Sequence, residues 1–271
     1  MSATFDLDAY LARIGYPGLR EPTLAVLHAL SLHHTCSIPF ENLDVLLGRP
    51  IGPTPEALMA KLMHGKRGGY CFEQNNLLLL ALHALGFRAS LLGARVRGPI
   101  PREEIPYRTH IIVKVALPEG EFLADVGLGS ASLTGAIPLV FDRELPTPHE
   151  TRRLTRDGAR LFHEVRDDDG WMDVCEFSLE EFQFVDCEVG NWWTSAHERS
   201  HFRHNLIAGL ARRDGTRHVF RDGKFLRRRG PDILSSVPVT SAEQLLGLLR
   251  DEFGLDFPAD TRFVPPGAPW A

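Results

Sequence analysis

The sequence predicts an α+β fold in which helices come first, antiparallel strands follow and a mixed segment ends the chain. Between residues 7 and 86, apolar residues recur at helical spacing. After Gly86, short runs rich in β-branched and aromatic residues alternate with turns that contain glycine and proline. Near the end, a helix start signal returns at Ser241. Helices, strands and a mixed end in this order are typical of the α+β class.

Composition is that of an ordinary globular protein. The 271 residues are 44% hydrophobic and 24% charged, which is enough for a core shared by two or three subdomains. The net charge of −5 is spread over both signs and argues against nucleic-acid binding. Residues 1–6 lack the basic start of a signal peptide, and no run of about 18 apolar residues occurs. We therefore expect a cytoplasmic protein that does not bind membranes.

The cysteines are predicted to be free thiols. They lie far apart and form no CxxC pair, which argues against both a disulfide framework and a cysteine-based zinc site. The four positions are Cys36, Cys71, Cys175 and Cys187.

The first helices are predicted from apolar stripes that begin at Leu7 and Leu24. A third helix has a clear start signal, because Thr54 can cap it and Pro55 suits the first helical position.

A single cysteine stands between a double glycine and an apolar run. In Arg-Gly-Gly-Tyr-Cys-Phe-Glu-Gln-Asn at 67–75, the glycines allow a tight turn, and the run after Cys71 predicts a buried helix that ends at Gly86. Cys71 then lies in the first turn, where backbone N–H groups, the helix dipole and nearby Arg67 favour a thiolate. A lone cysteine is more commonly a small core residue, so a nucleophile is indicated only if the chain also supplies a base.

The middle of the chain is predicted to be an antiparallel, barrel-like sheet. Its strands are separated by turns such as those at 98–101 and 118–120. The predicted strands are Arg88 to Arg97, Thr109 to Leu117, Glu121 to Val126, Leu161 to Val165, Trp171 to Phe177 and His218 to Leu226.

Two of these strands supply a candidate base and a candidate orienting group. His110 begins one strand and Asp125 lies late in the next. If Leu117 faces Gly120 across the turn, the two side chains lie diagonally on one face, whereas a one-residue bulge would place them on opposite faces. A thiolate, an imidazole that shares its proton and a carboxylate that orients the imidazole together form a catalytic triad.

The segment at 67–75 resembles the active-site signature of the arylamine N-acetyltransferases. Other matching segments follow in order, and the similarity extends from about Leu7 to beyond Arg229. These segments are Ile-Pro-Phe-Glu-Asn-Leu at 38–43, Thr109-His110, Asp-Val-Gly-Leu-Gly at 125–129, and Asn-Trp-Trp-Thr-Ser at 191–195 with Phe202.

The resemblance implies a three-domain enzyme with a cysteine-proteinase-like core. An N-terminal helical bundle at 1–87 would carry the nucleophile, a central β-barrel at 88–200 the histidine and aspartate, and an α/β lid would occupy 201–271. It further implies a triad of Cys71, His110 and Asp125. This triad would pass the acetyl group of acetyl-CoA, a co-substrate, to an arylamine or arylhydrazine through an acetyl-cysteine in ping-pong order, as in xenobiotic metabolism.

Binding residues are carried over from the same motifs. Phe40 and Phe202 match positions that line the acyl and amine pocket of the family, and Phe72 is a third substrate-binding candidate. A glycine turn whose amides can approach phosphates closely is a candidate coenzyme A site, although glycine pairs of this kind are equally typical of plain turns. The cofactor-binding candidates are Thr109, Gly127, Gly129 and Ser130.

The sequence departs from the family pattern at two places. Leu128 stands where the family often has phenylalanine, and Ser-Ala-His-Glu at 195–198 replaces Ser-Thr-(His or Ser)-Pro. Both differences concern the coenzyme and acceptor cleft more than the chemistry.

Three closely spaced histidines, His197, His201 and His204, are candidates for a metal site. Imidazoles at such spacing can share a helix face and bind zinc. No glutamate of the HExxH kind stands between them, so solvated or packing histidines are the preferred interpretation and no metal is predicted.

Other functions use the same three residues. An amide synthase acting on a carrier-bound thioester, or a Cys-His-Asp amidase or hydrolase of transglutaminase or papain type, would need the same triad. The intervals of 39 and 15 residues between its members are too compact for papain spacing. A non-enzymatic relative would be expected to have lost a triad residue. The acceptor amine and the formation of a homodimer are left open.

Overall fold

A computed structural model describes residues 5–263 of the chain as a mixture of helices and strands. The predicted domain limits at residues 1 and 271, and most of the N-terminal stretch used to predict the location, lie outside the described residues. The helices are α1 (Leu7–Ile14), α2 (Leu24–Ser37), α3 (Leu43–Leu46), α4 (Pro55–Leu58), α5 (Cys71–Ala84), α6 (Phe184–Ala196) and α7 (Ala242–Phe253). A π-helical turn at Met59–His64 continues α4, and 3₁₀ turns occupy Gly129–Ala131 and His201–Arg203.

Helix starts follow the predicted capping signals. The Thr54 side chain accepts a hydrogen bond from the N–H of Ala57, as expected for the cap of α4. Ser241 caps α7 in the same way through the N–H of Gln244. The Gln244 side chain, however, accepts from the N–H of Thr240 at 2.9 Å, so the reciprocal contact falls one residue earlier than in a standard capping box.

The helical region packs around α5. Its apolar residues Leu77, Leu78, Ala81 and Leu82 are fully buried and contact residues of α1 and α2 in one core. The predicted burial of this helix on most sides is confirmed. No helix among residues 5–263 is long and apolar enough to span a membrane.

The strands form two antiparallel sheets. In chain order they are β1 (Phe40–Glu41), β2 (Arg88–Val96), β3 (His110–Leu117), β4 (Gly120–Ala124), β5 (Ile137–Pro138), β6 (Glu144–Pro146), β7 (Thr151–Asp157), β8 (Arg160–Asp167), β9 (Gly170–Phe182), β10 (Ala208–Ala211), β11 (Arg217–Arg221), β12 (Lys224–Arg229) and β13 (Asp232–Pro238).

The larger sheet has eight strands in the order β5-β4-β3-β2-β9-β8-β7-β6 and is nearly closed into a barrel. Its apolar side chains, among them Leu92, Ile112 and Phe177, form a core of their own. The β3–β4 hairpin pairs Leu117 with Gly120, so the register expected from the turn is confirmed and no bulge intervenes. The predicted antiparallel, barrel-like sheet is therefore present, although β5, β6 and β7 were not predicted.

The smaller sheet has the order β1-β10-β11-β12-β13 and joins two distant parts of the chain. Phe40 of β1 pairs with Gly209 of β10. The segment 218–226 was predicted as one strand of the barrel-like sheet. It instead lies in this smaller sheet and is divided between β11 and β12 by a tight turn at 222–223. Helix α7 covers the sheet through Leu245, Leu249 and Phe253. Because Phe40 also bridges to Gly69, this sheet adjoins the turn that precedes Cys71.

Candidate active site

Cys71 is the first residue of α5, as predicted, and it is nearly buried. Its Sγ lies 3.5 Å from the carbonyl oxygen of Thr109, to which the thiol can donate. Glu73 stabilises the helix start, because its Oε2 accepts from the N–H of Tyr70 at 3.1 Å. The cysteine is thus fixed between a capped helix start and the segment that leads into β3.

His110 and Asp125 are joined by a hydrogen bond of 2.7 Å between Nε2 and Oδ2. Both side chains are 1% exposed. Asp125 Oδ1 also accepts from the N–H of Gly127 at 3.2 Å. Because Nε2 is engaged with the carboxylate, Nδ1 is the ring nitrogen of His110 left to interact with Cys71. The structure therefore brings together the three residues singled out from the sequence.

Charge and burial shift the pKa values of His110 and Asp125 in opposite directions. Burial alone would lower the pKa of His110, but the charge and hydrogen bond of Asp125, together with contact to Cys71, raise the pKa to about 10. For Asp125, burial would raise the pKa, yet the His110 charge and the hydrogen bonds from His110 and Asn75 hold it below its usual value. The arrangement therefore favours a positively charged His110 beside the Asp125 carboxylate. An imidazolium of this kind is a suitable partner for a thiolate.

Asn75 holds the carboxylate in place and was missed as a site residue. Its Nδ2 donates to Asp125 Oδ1 at 2.9 Å and to the carbonyl oxygen of Ile111 at 2.6 Å. Its Oδ1 accepts from the N–H of Val126 at 2.9 Å. The sequence does contain a signal for Asn75 as a site residue, because it follows Cys71 by four residues and side chains at i and i+4 share a helix face.

Arg67 does not act as a cation free to stabilise the thiolate, contrary to expectation. Its guanidinium pairs with Glu41 at 2.6 Å and with Asp44 at 3.1 Å. Lys61 joins the same network, with its Nζ 2.9 Å from Asp44 and 2.7 Å from Glu73. Burial raises the pKa of Glu73 to about 7, against the opposing charge of Lys61. These charges anchor the turn before Cys71, and the cation beside the thiol is His110.

Close backbone approach explains two glycines of the motifs. A Cβ on Gly68 would lie 2.0 Å from the carbonyl oxygen of Pro39, which no other residue could tolerate. A Cβ on Gly127 would lie 2.7 Å from the Cα of Cys71 and 3.0 Å from Nδ2 of Asn75. The aspartate-glycine segment therefore passes directly against the start of α5.

A cavity of about 550 Å³ reaches both Cys71 and His110. Of the sequence candidates, Phe40 and Phe202 line it, with ring centroids 6.0 Å apart in an edge-to-face arrangement. The cofactor candidates Thr109, Gly127, Gly129 and Ser130 line it as well. Such a volume suits a small aromatic molecule together with the end of a larger ligand.

Phe72 does not line this cavity. It is fully buried and packs beneath α6, where a Cβ on Gly190 would lie 2.5 Å from its ring. Successive residues of an α-helix point about 100° apart, so Phe72 faces away from the side on which Cys71 is presented. Adjacency in sequence to the nucleophile was a poor guide here.

The amides of the glycine turn are not all free for a ligand. The N–H of Gly127 donates to Asp125, and that of Leu128 donates to Ser132 Oγ at 2.8 Å. The N–H groups of Gly129 and Ser130, which make no such bond within residues 5–263, remain as candidate donors.

The three histidines considered for a metal each have other partners. His197 stacks on Trp193 with ring centroids 3.8 Å apart. His201 Nδ1 lies 2.9 Å from the side-chain nitrogen of Asn205, and the Nε2 of His204 lies 2.6 Å from a backbone carbonyl oxygen. Within the described part of the chain, no three His, Cys, Asp or Glu side chains are grouped so that they could hold a metal ion.

Similarity to known proteins extends over most of the chain. A family model with the description "N-acetyltransferase" matches residues 23–262. The arylamine N-acetyltransferase of Mycolicibacterium smegmatis is 39% identical over 257 residues, which cover 93% of this chain and 92% of the relative. The solved structure of the arylamine N-acetyltransferase from Salmonella typhimurium has a TM-score of 0.89 at 35% identity and covers 96% of each chain. That of Mycobacterium marinum arylamine N-acetyltransferase in complex with CoA has a TM-score of 0.88 at 36% identity and covers 92% of each chain.

Proposed function

The chain belongs to the arylamine N-acetyltransferase family, and from that membership we propose that it carries acetyl groups from acetyl-CoA to arylamines or arylhydrazines through an acetyl-Cys71 intermediate. It is an acyltransferase that uses acetyl-CoA as co-substrate. The observation that carries the mechanism is that a helix-start thiol and a buried imidazole, which is hydrogen-bonded to a carboxylate, both line one cavity.

In the first half-reaction, the Cys71 thiolate attacks the carbonyl carbon of the thioester. The new carbon–sulfur bond forms as the bond to coenzyme A breaks, and the imidazolium of His110 gives its proton to the departing thiolate. One thioester replaces another, so the exchange has little thermodynamic cost. Backbone N–H groups at the start of α5 lack intrahelical acceptors and are candidate donors to the oxyanion.

In the second half-reaction, the acceptor nitrogen attacks the acetyl-enzyme. An aromatic amine is largely unprotonated at neutral pH, so it is ready to attack, and His110 takes the proton that it releases. Cys71 leaves as a thiolate, which restores the ion pair. Asp125 acts as an orienting group throughout, because its bond to Nε2 directs Nδ1 of the ring toward the sulfur.

We assign binding roles on the two sides of the cavity. Phe40 and Phe202 would contact the acetyl group and the arene, since both rings line the space above Cys71. Thr109 and the turn at 127–130 would receive coenzyme A, chiefly through the N–H groups of Gly129 and Ser130. Burial of Phe72 beneath α6 supports a packing role for this residue.

The proposal includes three domains at 1–87, 88–200 and 201–271. It is supported by Cys71 lying on the helical part, His110 and Asp125 on the barrel, and β11 contributing Val219 to the cavity. We also predict a cytoplasmic location.

Mass spectrometry of the intact protein tests the intermediate. After acetyl-CoA is added without acceptor, we expect one acetyl group on the Cys71 peptide, no acetylation in Cys71→Ala, and normal acetylation in Cys36→Ala, which removes a half-buried thiol elsewhere. Double-reciprocal plots at several amine concentrations should be parallel. Undiminished acetylation of Cys71→Ala, or intersecting lines, would contradict transfer through Cys71.

A further inference from the structure

A cluster of buried charges joins the barrel to the smaller sheet, apart from Cys71. Arg152 of β7 and Arg217 of β11 are each 1% exposed, and Glu150 between them is 2% exposed. Nη2 of Arg217 donates to Glu150 at 2.7 Å, and Nη2 of Arg152 does so at 2.9 Å. Arg228 of β12 lies 3.7 Å from the same carboxylate. Three cations therefore share one carboxylate.

This cluster carries more positive than negative charge. Within residues 5–263, none of the three arginines makes an ion pair with a second carboxylate, which leaves a formal excess of two positive charges. Burial and then the charge of Arg217 lower the pKa of Arg228 to about 10, although the charge of Glu150 acts in the opposite direction. Burying a charge without a partner is costly, so the cluster favours the binding of a further anion.

Arg217 has a donor that no protein group uses. Its Nη2 donates to the carbonyl oxygen of Ser132 at 2.9 Å. Its Nη1 is buried and has no hydrogen-bond partner within residues 5–263. Buried polar atoms in proteins nearly always have a partner, which is either a protein group or an ordered small particle. Nη1 of Arg217 is therefore the first donor of a candidate binding site.

A small cavity lies beside Arg217 and is lined by Ser132 as well. Its volume of about 10 Å³ suits one particle close to the size of a water molecule and is too small for sulfate or phosphate. The Ser132 hydroxyl accepts from the N–H of Leu128 at 2.8 Å, and its own hydrogen is donated to no acceptor among residues 5–263. No described Asp or Glu lines the cavity. A cation and a free hydroxyl hydrogen without a carboxylate make this a site for an anion.

A monatomic anion fits these features better than water does. A water molecule has a suitable size, but it would leave the two excess positive charges of the cluster uncompensated. A halide ion brings a negative charge into the same space and requires only donors around it. The charge of the cluster thus decides between two particles that the volume alone does not separate.

We propose that the cavity beside Arg217 binds a halide ion, chloride in ordinary buffers, through Nη1 of Arg217 and the hydroxyl of Ser132. Phe40 and Gly129 line both this cavity and the larger one that reaches Cys71, so the ion lies directly behind the turn at 129–132. Bound there, it stabilises the folded protein by linking this turn to β11. The site takes no part in acetyl transfer and does not depend on the proposed function.

Thermal unfolding of the full chain tests the site. Sodium chloride replaces sodium gluconate at a constant ionic strength of about 0.15 M, because gluconate is too large to enter the cavity. For a Kd of about 20 mM, Tm should be about 3 °C higher in chloride than in gluconate. Sodium bromide should have the same effect, and crystals grown in bromide should show anomalous density beside Nη1 of Arg217.

Ala211→Val is the test variant, and Ala116→Val is its matched control. Ala211 lines the cavity, so the added methyl groups fill it while the pairing of Arg217 with Glu150 is kept. The difference in Tm between chloride and gluconate should then be lost. Ala116→Val makes the same change on β3, outside this cavity, and should show the wild-type difference.

Three results would overturn the proposal. Equal Tm values of wild type in chloride and gluconate would show that the cavity holds water only. A difference of the same size in Ala211→Val and wild type would be a general salt effect. Crystals of wild type without bromide beside Arg217 would exclude the site even if Ala211→Val does not fold. Activity is not measured, so none of these results bears on acetyl transfer through Cys71.

Discussion

Replacement of Gly127 by alanine should slow acylation of Cys71 without unfolding the protein. The added Cβ would lie 2.7 Å from the Cα of Cys71 and 3.0 Å from Nδ2 of Asn75. Non-bonded carbons prefer a separation of at least about 3.5 Å, so the segment that carries Asp125 must move away from α5 by about 0.8 Å. The movement acts directly on the spacing between the nucleophile and the carboxylate that orients its base.

The expected magnitudes follow from that displacement. Inserting a methyl group into a well-packed contact lowers the free energy of unfolding by about 1–3 kcal/mol. A misplacement of about 1 Å at the reacting groups can slow a reaction about 100-fold. The acylation rate is read from the burst of 4-nitrophenol that 4-nitrophenyl acetate releases in the absence of acceptor. This donor has no phosphates, so any contact between Gly127 and the coenzyme does not enter the measurement.

The matched control is Gly247→Ala. Apart from the backbone of α7 itself, a Cβ at this position meets no atom of residues 5–263 within 4 Å, and alanine in a helix interior is favoured over glycine by about 0.5–1 kcal/mol. This variant should be slightly more stable than wild type and acylate at the same rate. Gly127→Ala with wild-type stability and an acylation rate within twofold of wild type would refute the close approach of the two segments.

Two further predictions concern the pair behind Cys71. Asp125→Asn keeps the size of the side chain but weakens support for the imidazolium, so the acylation rate should fall by about 10⁴-fold, as in serine triads. The fold should stay intact by circular dichroism. A near wild-type acylation rate would make Asp125 a structural carboxylate. Folding raises the pKa of His110 from 6.5 to about 10, so its contribution to stability is complete below pH 6.5 and is lost as the pH rises toward 10. The difference in free energy of unfolding between wild type and His110→Ala should therefore shrink over that interval, and a pH-independent difference would contradict the ion pair.

Features set by neighbouring residues could be predicted from the sequence. Thr54 and Ser241 mark helix starts because a cap depends on atoms three residues away. The β3–β4 register follows from the turn chemistry at 118–120, and that register in turn brings His110 close to Asp125. The approximate position of two of the three groups in the site was therefore encoded locally.

Features that depend on distant segments could not be predicted in this way. Asn42 donates to the carbonyl oxygens of Phe202 and Asn205 at 2.8 and 2.7 Å across about 160 residues, and Tyr70 donates to Asn191. A polar residue in a sequence shows that a partner is needed if it is buried, but it does not say which partner. The pairing of Phe40 with Gly209 in the smaller sheet could not be predicted either, because a strand of two residues is too short to show a strand pattern.

Helix α5 shows how much of the site follows from the geometry of a single helix. Cys71 and Asn75 are four residues apart and lie on the same face, whereas Phe72 is turned about 100° away from Cys71. One face of one helix thus carries the nucleophile and also the amide that fixes Asp125 at 2.9 Å. Because a single rigid element sets both positions, the distance from thiol to carboxylate does not depend on how the helical region and the barrel are joined elsewhere. This accounts for the burial of Asn75 in the polar first half of α5, where an unpaired amide would be costly.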